Sequence, residues 1–314
     1  MIPVTTLPLD SLRSIFGDNM QTDVPLARYT AARVGGLADV LITVNSAKEL
    51  EMTAKELWAK VIPYLILGGG SNVLVSDEGV RDVVIFNRAR EIRFDEDASH
   101  PAVWAESGAN FGSLARRAAN KGLSGLEWAA GIPGTVGGAV FGNAGAHGGD
   151  VAGCLEMAEI LHQDGRKENW TTEEMDYSYR TSRLKRENLP DVILAASFSL
   201  EHSFAEEVQR QMDEFSAFRH QTQPPGASMG SMFKNPPGDY AGRLIDESGI
   251  KGTRVGQAEI SPLHANFFIN HGDASATDIY KLIVFARDTV SKKFDVNLEL
   301  EIELAGDWNL AIGK

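Results

Sequence analysis

Leu67-Gly68-Gly69-Gly70-Ser71-Asn72 and Gly131-Ile132-Pro133-Gly134-Thr135-Val136-Gly137-Gly138 are the two stretches on which the reading of this chain turns. The first follows a mostly apolar run, Val61 to Leu67, which reads as a buried strand, and it empties into Val73-Leu74-Val75. Consecutive glycines let neighbouring backbone N–H groups converge on an anion, and they remove the side chains that would hold a phosphate away. Ser71 and Asn72 add a hydroxyl and an amide. The pattern is neither Gly-x-Gly-x-x-Gly opening a helix nor a loop ending in Gly-Lys-Ser/Thr, which disfavours Rossmann and P-loop architectures. Taken alone, a triple glycine is more often a structural turn. The second stretch continues through Gly142-Asn143-Ala144-Gly145-Ala146 and is too glycine-dense for one tight turn. It suggests backbone laid along a flat or extended ligand, the alternative being a packed glycine-rich loop. Two such blocks suit a dinucleotide, which has both a pyrophosphate and a ring system to accommodate.

The rest of the composition sets bounds on this. The 314 residues suffice for two domains, and 43% hydrophobic with 23% charged residues is a globular profile. A formal charge of −13 argues against general affinity for nucleic acid or an anionic membrane. It leaves room for an anionic small ligand held by local cations and N–H groups. No apolar run is long enough to span a bilayer, and no basic start precedes an apolar stretch at the N-terminus. With one cysteine, Cys154, an internal disulfide is impossible, and a cytoplasmic location is expected. The seven histidines show no metal-ligand spacing, so no structural metal is expected.

Around the glycine blocks the chain alternates short strands and helices. Ala38 to Val44 reads as a strand. Ser46 to Glu49 has the form of a capping box for a helix reaching about Lys60. Val83 to Phe86 and Val103 to Ala105 are strands, with a helix from Asn110 to Lys121 stopped by Gly122. Met157 to His162 and Lys167 to Trp170 flank the Asp164-Gly165 turn as a hairpin, and Val192 to Leu200 is another strand. Beyond about residue 201 the texture changes. A polar helix to Phe218 leads to a Pro/Gly-rich loop from Pro224 to Gly238. Helices at Tyr240 to Ser248 and Ser275 to Phe294 bracket a strand, Asn266 to Asn270. Asn297 to Leu304 alternates as a closing strand, with Leu298, Leu300, Ile302 and Leu304 on one face and Glu299, Glu301 and Glu303 on the other.

Three stretches in the second half have chemical character. Tyr177-Ser178-Tyr179-Arg180-Thr181-Ser182 places an arginine between aromatic and hydroxyl residues, where it holds a carboxylate or forms a surface salt bridge. Gly230-Ser231-Met232-Phe233-Lys234-Asn235-Pro236 offers a hydroxyl, a cation and an amide in one loop. Ser231 is a turn former or a proton donor; no His-Asp set marks it as a nucleophile. Glu301 lies on the polar face of the closing strand, and His264-Ala265-Asn266-Phe267 enters an apolar strand through polar residues.

Taken in order, these segments resemble the UDP-N-acetylenolpyruvoylglucosamine reductase family, the flavoenzymes of peptidoglycan precursor synthesis. The resemblance runs from Thr30-Ala31-Ala32-Arg33-Val34-Gly35-Gly36 to Gly306 and includes both glycine blocks, Tyr179 to Ser182, Gly230 to Pro236, His264 to Phe267 and Leu298 to Glu301. It implies an α+β fold: a two-lobed FAD-binding domain of the vanillyl-alcohol-oxidase/PCMH type over residues 20–200, its lobes dividing near 68–75. A smaller α+β substrate-binding domain follows over 201–314. The compact length matches the shorter structural type of the family.

The same resemblance implies non-covalent FAD, held by Gly68, Gly69, Gly70, Ser71 and Asn72 in the first block. From the second block it implies Ile132, Pro133, Gly134, Val136, Gly137, Gly138, Asn143 and Ala144. NADPH is the implied co-substrate. Arg180, Ser231 and Glu301 become the implied catalytic group for reduction of UDP-N-acetylglucosamine enolpyruvate to UDP-N-acetylmuramate. Arg180 and Glu301 would polarise the substrate carboxylate, and Ser231 would protonate the α-carbon. Tyr179, Lys234 and Asn235 are the implied substrate contacts. The family often carries arginine two places after its catalytic glutamate. Here Glu303 stands there, and Arg219 is a candidate to supply that contact. The loop from Thr222 to Met229 is slightly short and carries no lysine. A monomer or weak oligomer is expected. Two rival readings are an FAD oxidase of the same fold acting on an alcohol or sugar, and a flavin-free nucleotide-sugar-binding protein.

Overall fold

A computed structural model of the chain describes residues 7–308. Two sheets and a smaller third one organise it. The first is four-stranded, in the order Met20–Pro25, Leu37–Val44, Val80–Asn87, Tyr64–Leu67. Only the Met20–Pro25 strand runs antiparallel to its neighbour. Both faces are covered, as expected of parallel strands rich in valine and isoleucine. Val40, Ile42, Val83 and Ile85 enter one core, and Leu41 and Val84 the other.

Helix Ala47–Ala59 lies between the two large sheets. Its Leu50, Ala54 and Leu57 share a core with Val40 and Ile42 of the first sheet and with Leu161, Val192 and Leu194 of the second. Ser46 caps it by accepting from Glu49 N–H at 3.2 Å. The expected capping box is displaced by one residue, because the Glu49 carboxylate takes the N–H of Asn45 at 2.8 Å. The strand expected from Val61 begins only at Tyr64. Val61 turns at φ 54 and Pro63 has no N–H to give a ladder.

The second sheet is five-stranded and wholly antiparallel: Lys167–Trp170, Leu155–Leu161, Val192–Ser199, Ala102–Glu106, Ile92–Asp95. Because Val80–Asn87 belongs to the first sheet, the lobes divide after Asn87. The expected division at 68–75 falls inside the first lobe, where the chain leaves the sheet at Leu67 and returns at Val80. Helix Phe111–Asn120 enters the core of the second sheet, and Ala205–Thr222 packs against that helix, its Val208 and Met212 joining the same core. A helix expected in the C-terminal domain therefore leans on the second lobe.

The third unit has strands Arg254–Val255, Ala258–Ile260 and Phe268–Asn270 with helices Ala241–Glu247 and Ala276–Phe294. Ser275 and Asp278 form a capping box at the start of the long helix. Asp77, from the first lobe, adds both carboxylate oxygens to the N–H groups of Ala276 and Thr277, 2.8 Å each. The core of this unit also takes in Ala32, Val34 and Leu74 of the first lobe.

The closing strand departs most from expectation. Only Glu303–Ala305 is regular, paired in parallel with Val73–Val75. Leu300 makes a single bridge to Phe233, the chain bends at Glu301 and Ile302, and Leu304 is exposed. The alternation continues across a bend, so it does not define one flat strand. Among the described residues no helix is long and apolar enough to cross a membrane.

Candidate active site

The two glycine blocks meet face to face. A Cβ on Gly69 would lie 3.1 Å from Cα of Gly134, and one on Gly68 would lie 2.5 Å from Oγ1 of Thr135. Gly70, at φ 59, has no room at all: a Cβ there would stand 2.0 Å from the Tyr29 carbonyl oxygen. The Ser71 hydroxyl donates to the Pro133 carbonyl at 3.3 Å, completing the seam. None of the five N–H groups from Gly68 to Asn72 donates to an acceptor among the described residues. Successive unpaired N–H groups beside solvent form an anion-binding concavity, and a pyrophosphate fits that requirement. Thr135 then caps the short helix Val136–Gly142, accepting from Gly138 N–H at 3.4 Å. A Cβ on Gly142 would meet nothing within 4 Å, and on Gly138 only Oγ1 of Thr135, so this helix offers an open face.

Not every expected cofactor residue presents a side chain. Val136 is fully buried in the second lobe, and Ile132 packs against the same core. Asn143 is buried, with Nδ2 donating to Asp150 and to the Ser178 carbonyl and Oδ1 accepting from Ala152 N–H. Its side chain braces the block. Ala144 donates its N–H to the Ala139 carbonyl.

Arg180 sits at the tip of a turn closed by reciprocal Ser178 and Thr181 backbone hydrogen bonds of 3.1 Å. Tyr177 Oη and Ser182 Oγ donate to the carbonyls of Val140 and Phe141, pinning the turn to the second block. At φ 57 Arg180 occupies the left-handed region, which costs a non-glycine residue about 1–2 kcal/mol. Such strain is found where the fold over-determines a functional position. Its Nη2 donates to the Gly145 carbonyl at 2.7 Å, and its guanidinium carbon lies 5.4 Å from the Tyr179 ring centre. Nε approaches Glu301 Oε1 to 2.8 Å, yet at an angle that leaves it without a directional hydrogen bond. The pair is a close charge contact.

Glu301 is not on an exposed polar face. Its side chain is 20% exposed, against 79% for Glu299, because the bend turns it toward Arg180. Burial pushes its carboxyl above the usual range, while the charges of Arg180, Lys185 and Lys234 pull it back without cancelling the effect. Asn72 Nδ2 donates to the Glu301 carbonyl at 3.1 Å. The first glycine block therefore touches the segment that carries Glu301 directly.

Segment 231–234 is threaded between two others. Met232 N–H donates to the Asn266 carbonyl at 2.8 Å, and Glu301 N–H donates to the Met232 carbonyl at 2.9 Å. The buried Asn266 side chain clamps Phe233 twice, accepting from its N–H at 3.0 Å and donating to its carbonyl at 2.8 Å. Ser231 thus stands one residue from the backbone contact with Glu301, and its hydroxyl makes no hydrogen bond among the described residues. Lys234 Nζ is 3.7 Å from Glu299, a loose pair. Asn235 Oδ1 accepts from Ala241 N–H at 3.1 Å, leaving its amide hydrogens for another partner. Arg219 packs beside Gly131 at the head of the second block, without a carboxylate partner among the described residues, and burial lowers its proton affinity.

Sequence reasoning passed over Asn266 as a brace, Gly145 as the Arg180 acceptor, and Lys185. Lys185 was visible five places after Arg180 but had no marked spacing.

Comparison with known proteins completes the picture. The family model described as the C-terminal domain of UDP-N-acetylenolpyruvoylglucosamine reductase matches residues 221–305. One described as an FAD binding domain matches residues 38–169. A UDP-N-acetylenolpyruvoylglucosamine reductase from Chloroflexus aggregans is 41% identical over 288 residues, covering 91% of this chain and 97% of its own. The chain belongs to the UDP-N-acetylenolpyruvoylglucosamine reductase family. Another member, from Halalkalibacterium halodurans, is 40% identical over 305 residues, covering 95% of this chain and 98% of its own. The crystal structure of the family's enzyme from Thermus caldophilus superposes with a TM-score of 0.77 at 40% identity, covering 91% of this chain and 99% of that one. The protein is an FAD-dependent oxidoreductase of α+β fold, as its membership and the matched FAD binding domain require.

Proposed function

We propose that the chain reduces UDP-N-acetylglucosamine enolpyruvate to UDP-N-acetylmuramate with NADPH, as a step in peptidoglycan precursor synthesis. The observation that carries this reading is the convergence of Arg180, Glu301 and the Ser231 segment directly beside both glycine blocks. Bound FAD supplies the hydride transfer that links NADPH to the vinyl ether. Gly68 to Asn72 would hold its pyrophosphate and the second block its extended body, without covalent attachment.

Reduction at the β-carbon places negative charge on the enolpyruvyl carboxylate. Arg180 would hold that carboxylate with its guanidinium charge. Glu301, whose proton affinity burial raises, would act on it either as the acid or through the charge of Arg180. Ser231 would deliver a proton to the α-carbon from a hydroxyl that none of the described residues engages. Groups that act on charge present only in the transition state lower the barrier without deepening the ground state. Tyr179, Lys234 and Asn235 would contact the substrate, with the Asn235 amide available to a diphosphate. Arg219 would face the cofactor side, where Gly131 places it. A division into a cofactor unit over 20–200 and a substrate unit from 201, a cytoplasmic location, and a monomer or weak oligomer belong to the same reading.

The test is anaerobic. Protein reduced by NADPH should recover its oxidised flavin spectrum on addition of UDP-N-acetylglucosamine enolpyruvate. Failure of that substrate to reoxidise the flavin would overturn the assignment.

A further inference from the structure

Glu303 stands where the family resemblance leads one to expect arginine, two places after Glu301. On its own it would be a third carboxylate, with Glu299 and Glu301, crowding the end that receives an anionic substrate. The structure places a cation against it. Lys185 Nζ lies 2.6 Å from Glu303 Oε1, on a side chain only 18% exposed. Lys185 is carried by the short helix Arg183–Arg186, whose N-cap Ser182 also anchors the Arg180 turn to the second glycine block. Two cation–carboxylate contacts therefore run side by side, Arg180 to Glu301 and Lys185 to Glu303. They join the second lobe to the segment that enters the first lobe through its pairing with Val73–Val75.

We propose that Lys185 and Glu303 form a positioning pair that seats Glu301 against Arg180 and sets the balance of charge around it. The inference rests on the reading of Glu301 as the carboxyl acting on the substrate. The charged groups facing Glu301 are Arg180 from the 178–181 turn, Lys185 from its helix and Lys234 from the serine-bearing segment. Glu299 and Glu303 share its own segment. Within this set Lys185 is shared: its charge acts on Glu301 while its ammonium rests on Glu303. Removing Glu303 frees Lys185 to act more strongly on Glu301, favouring the ionised carboxylate. Removing Lys185 leaves Glu303 uncompensated, favouring the protonated acid. The two halves of the pair thus pull in opposite directions, which a purely structural contact does not do.

The experiment uses holoenzyme carrying carboxyl-labelled glutamate, with the Glu301 signal assigned by its loss in Glu301→Gln. Its titration is followed by 13C NMR in wild type, Lys185→Met, Glu303→Gln and the double variant. The pH profile of flavin reoxidation by substrate is recorded in parallel. We expect the Glu301 midpoint to move down in Glu303→Gln and up in Lys185→Met, each by about half a pH unit, a threefold change in proton affinity. The double variant should return close to wild type, and flavin reduction by NADPH should be unchanged in all of them. A charge swap, Lys185→Glu with Glu303→Lys, should restore the reoxidation rate lost in either single swap. Midpoints moving in the same direction, or staying fixed, overturn the proposal. Opposed NMR shifts in a wild-type protein that substrate cannot reoxidise would leave the pair standing and remove the functional reading instead.

Discussion

The glycine cradle and the cluster of Arg180, Ser231 and Glu301 adjoin one another but are made of different material. The cradle is backbone: N–H groups without an acceptor among the described residues, two blocks at close approach, and a left-handed glycine that tolerates no side chain. The cluster is side chain: a strained arginine, a serine hydroxyl without a hydrogen-bond partner among the described residues, and a half-buried acid, brought together from three distant segments. A cradle made of backbone fails wholesale when a Cβ is added. A cluster made of side chains loses one chemical step at a time. The comparison predicts that the two half-reactions can be separated by substitution.

The sharpest break is Gly70→Ala. A methyl group would have to occupy space 2.0 Å from the Tyr29 carbonyl oxygen at a positive φ. Purified variant should lose stoichiometric flavin, read as absorbance near 450 nm per protein, and lose at least about 2 kcal/mol of stability in urea unfolding. Retention of full flavin would show that the cradle is looser than its geometry.

Ser231→Ala should leave the flavin spectrum and NADPH reduction as they are, while reoxidation by substrate slows about a hundredfold. Stopped-flow measurement of each half-reaction decides it, and equal slowing of both would remove serine from the proton-donor role. Asn266→Ala sits between the two regions. It strips two hydrogen bonds from buried Phe233 and should cost about 2–3 kcal/mol, lowering kcat with flavin content unchanged. A normal unfolding midpoint would mean that water replaces the brace.

Glu301→Gln tests the sign of the electrostatics. A carboxyl whose folded-state proton affinity is raised gives stability that is fully present at low pH and falls away as pH rises through its elevated midpoint. The glutamine variant should therefore lose less stability than wild type as pH rises from the ordinary carboxylate range toward neutrality, measured by urea unfolding at a series of pH values. Parallel stability curves would mean that Arg180 fully compensates the burial. The smallest effect is expected far from both regions. Ser46→Ala should cost about 1 kcal/mol through its lost cap and change neither half-reaction.

The same contrast explains what the sequence revealed. The cradle could be read because backbone requirements are local: a glycine that must be glycine is marked by its own letter. Helix Ala47–Ala59 declared itself by its Ser46 cap, also a local signal. Arg180, Ser231 and Glu301 could be chosen one by one through resemblance, but residue types alone do not say that they meet. Glu301 was misplaced on an exposed face because alternation assumes a straight strand, and the bend at Glu301 and Ile302 turns its side chain inward. Asn266 and Lys185 stayed unread because their roles are fixed by partners far along the chain, Phe233 and Glu303. The lobe division was displaced for the same reason, since Val80–Asn87 rejoins the first sheet after a glycine-rich excursion.

The bond from the Asn72 amide to the Glu301 carbonyl joins residues 229 positions apart. During synthesis, domains form in the order in which they emerge, and the two lobes can fold well before residue 301 leaves the ribosome. A nascent chain can thus acquire a cofactor-shaped cleft early, yet it has no acid in that cleft until its last strand docks beside Val73–Val75. Reductive chemistry on the substrate is in this way delayed to the final act of assembly, and a prematurely terminated product lacks it.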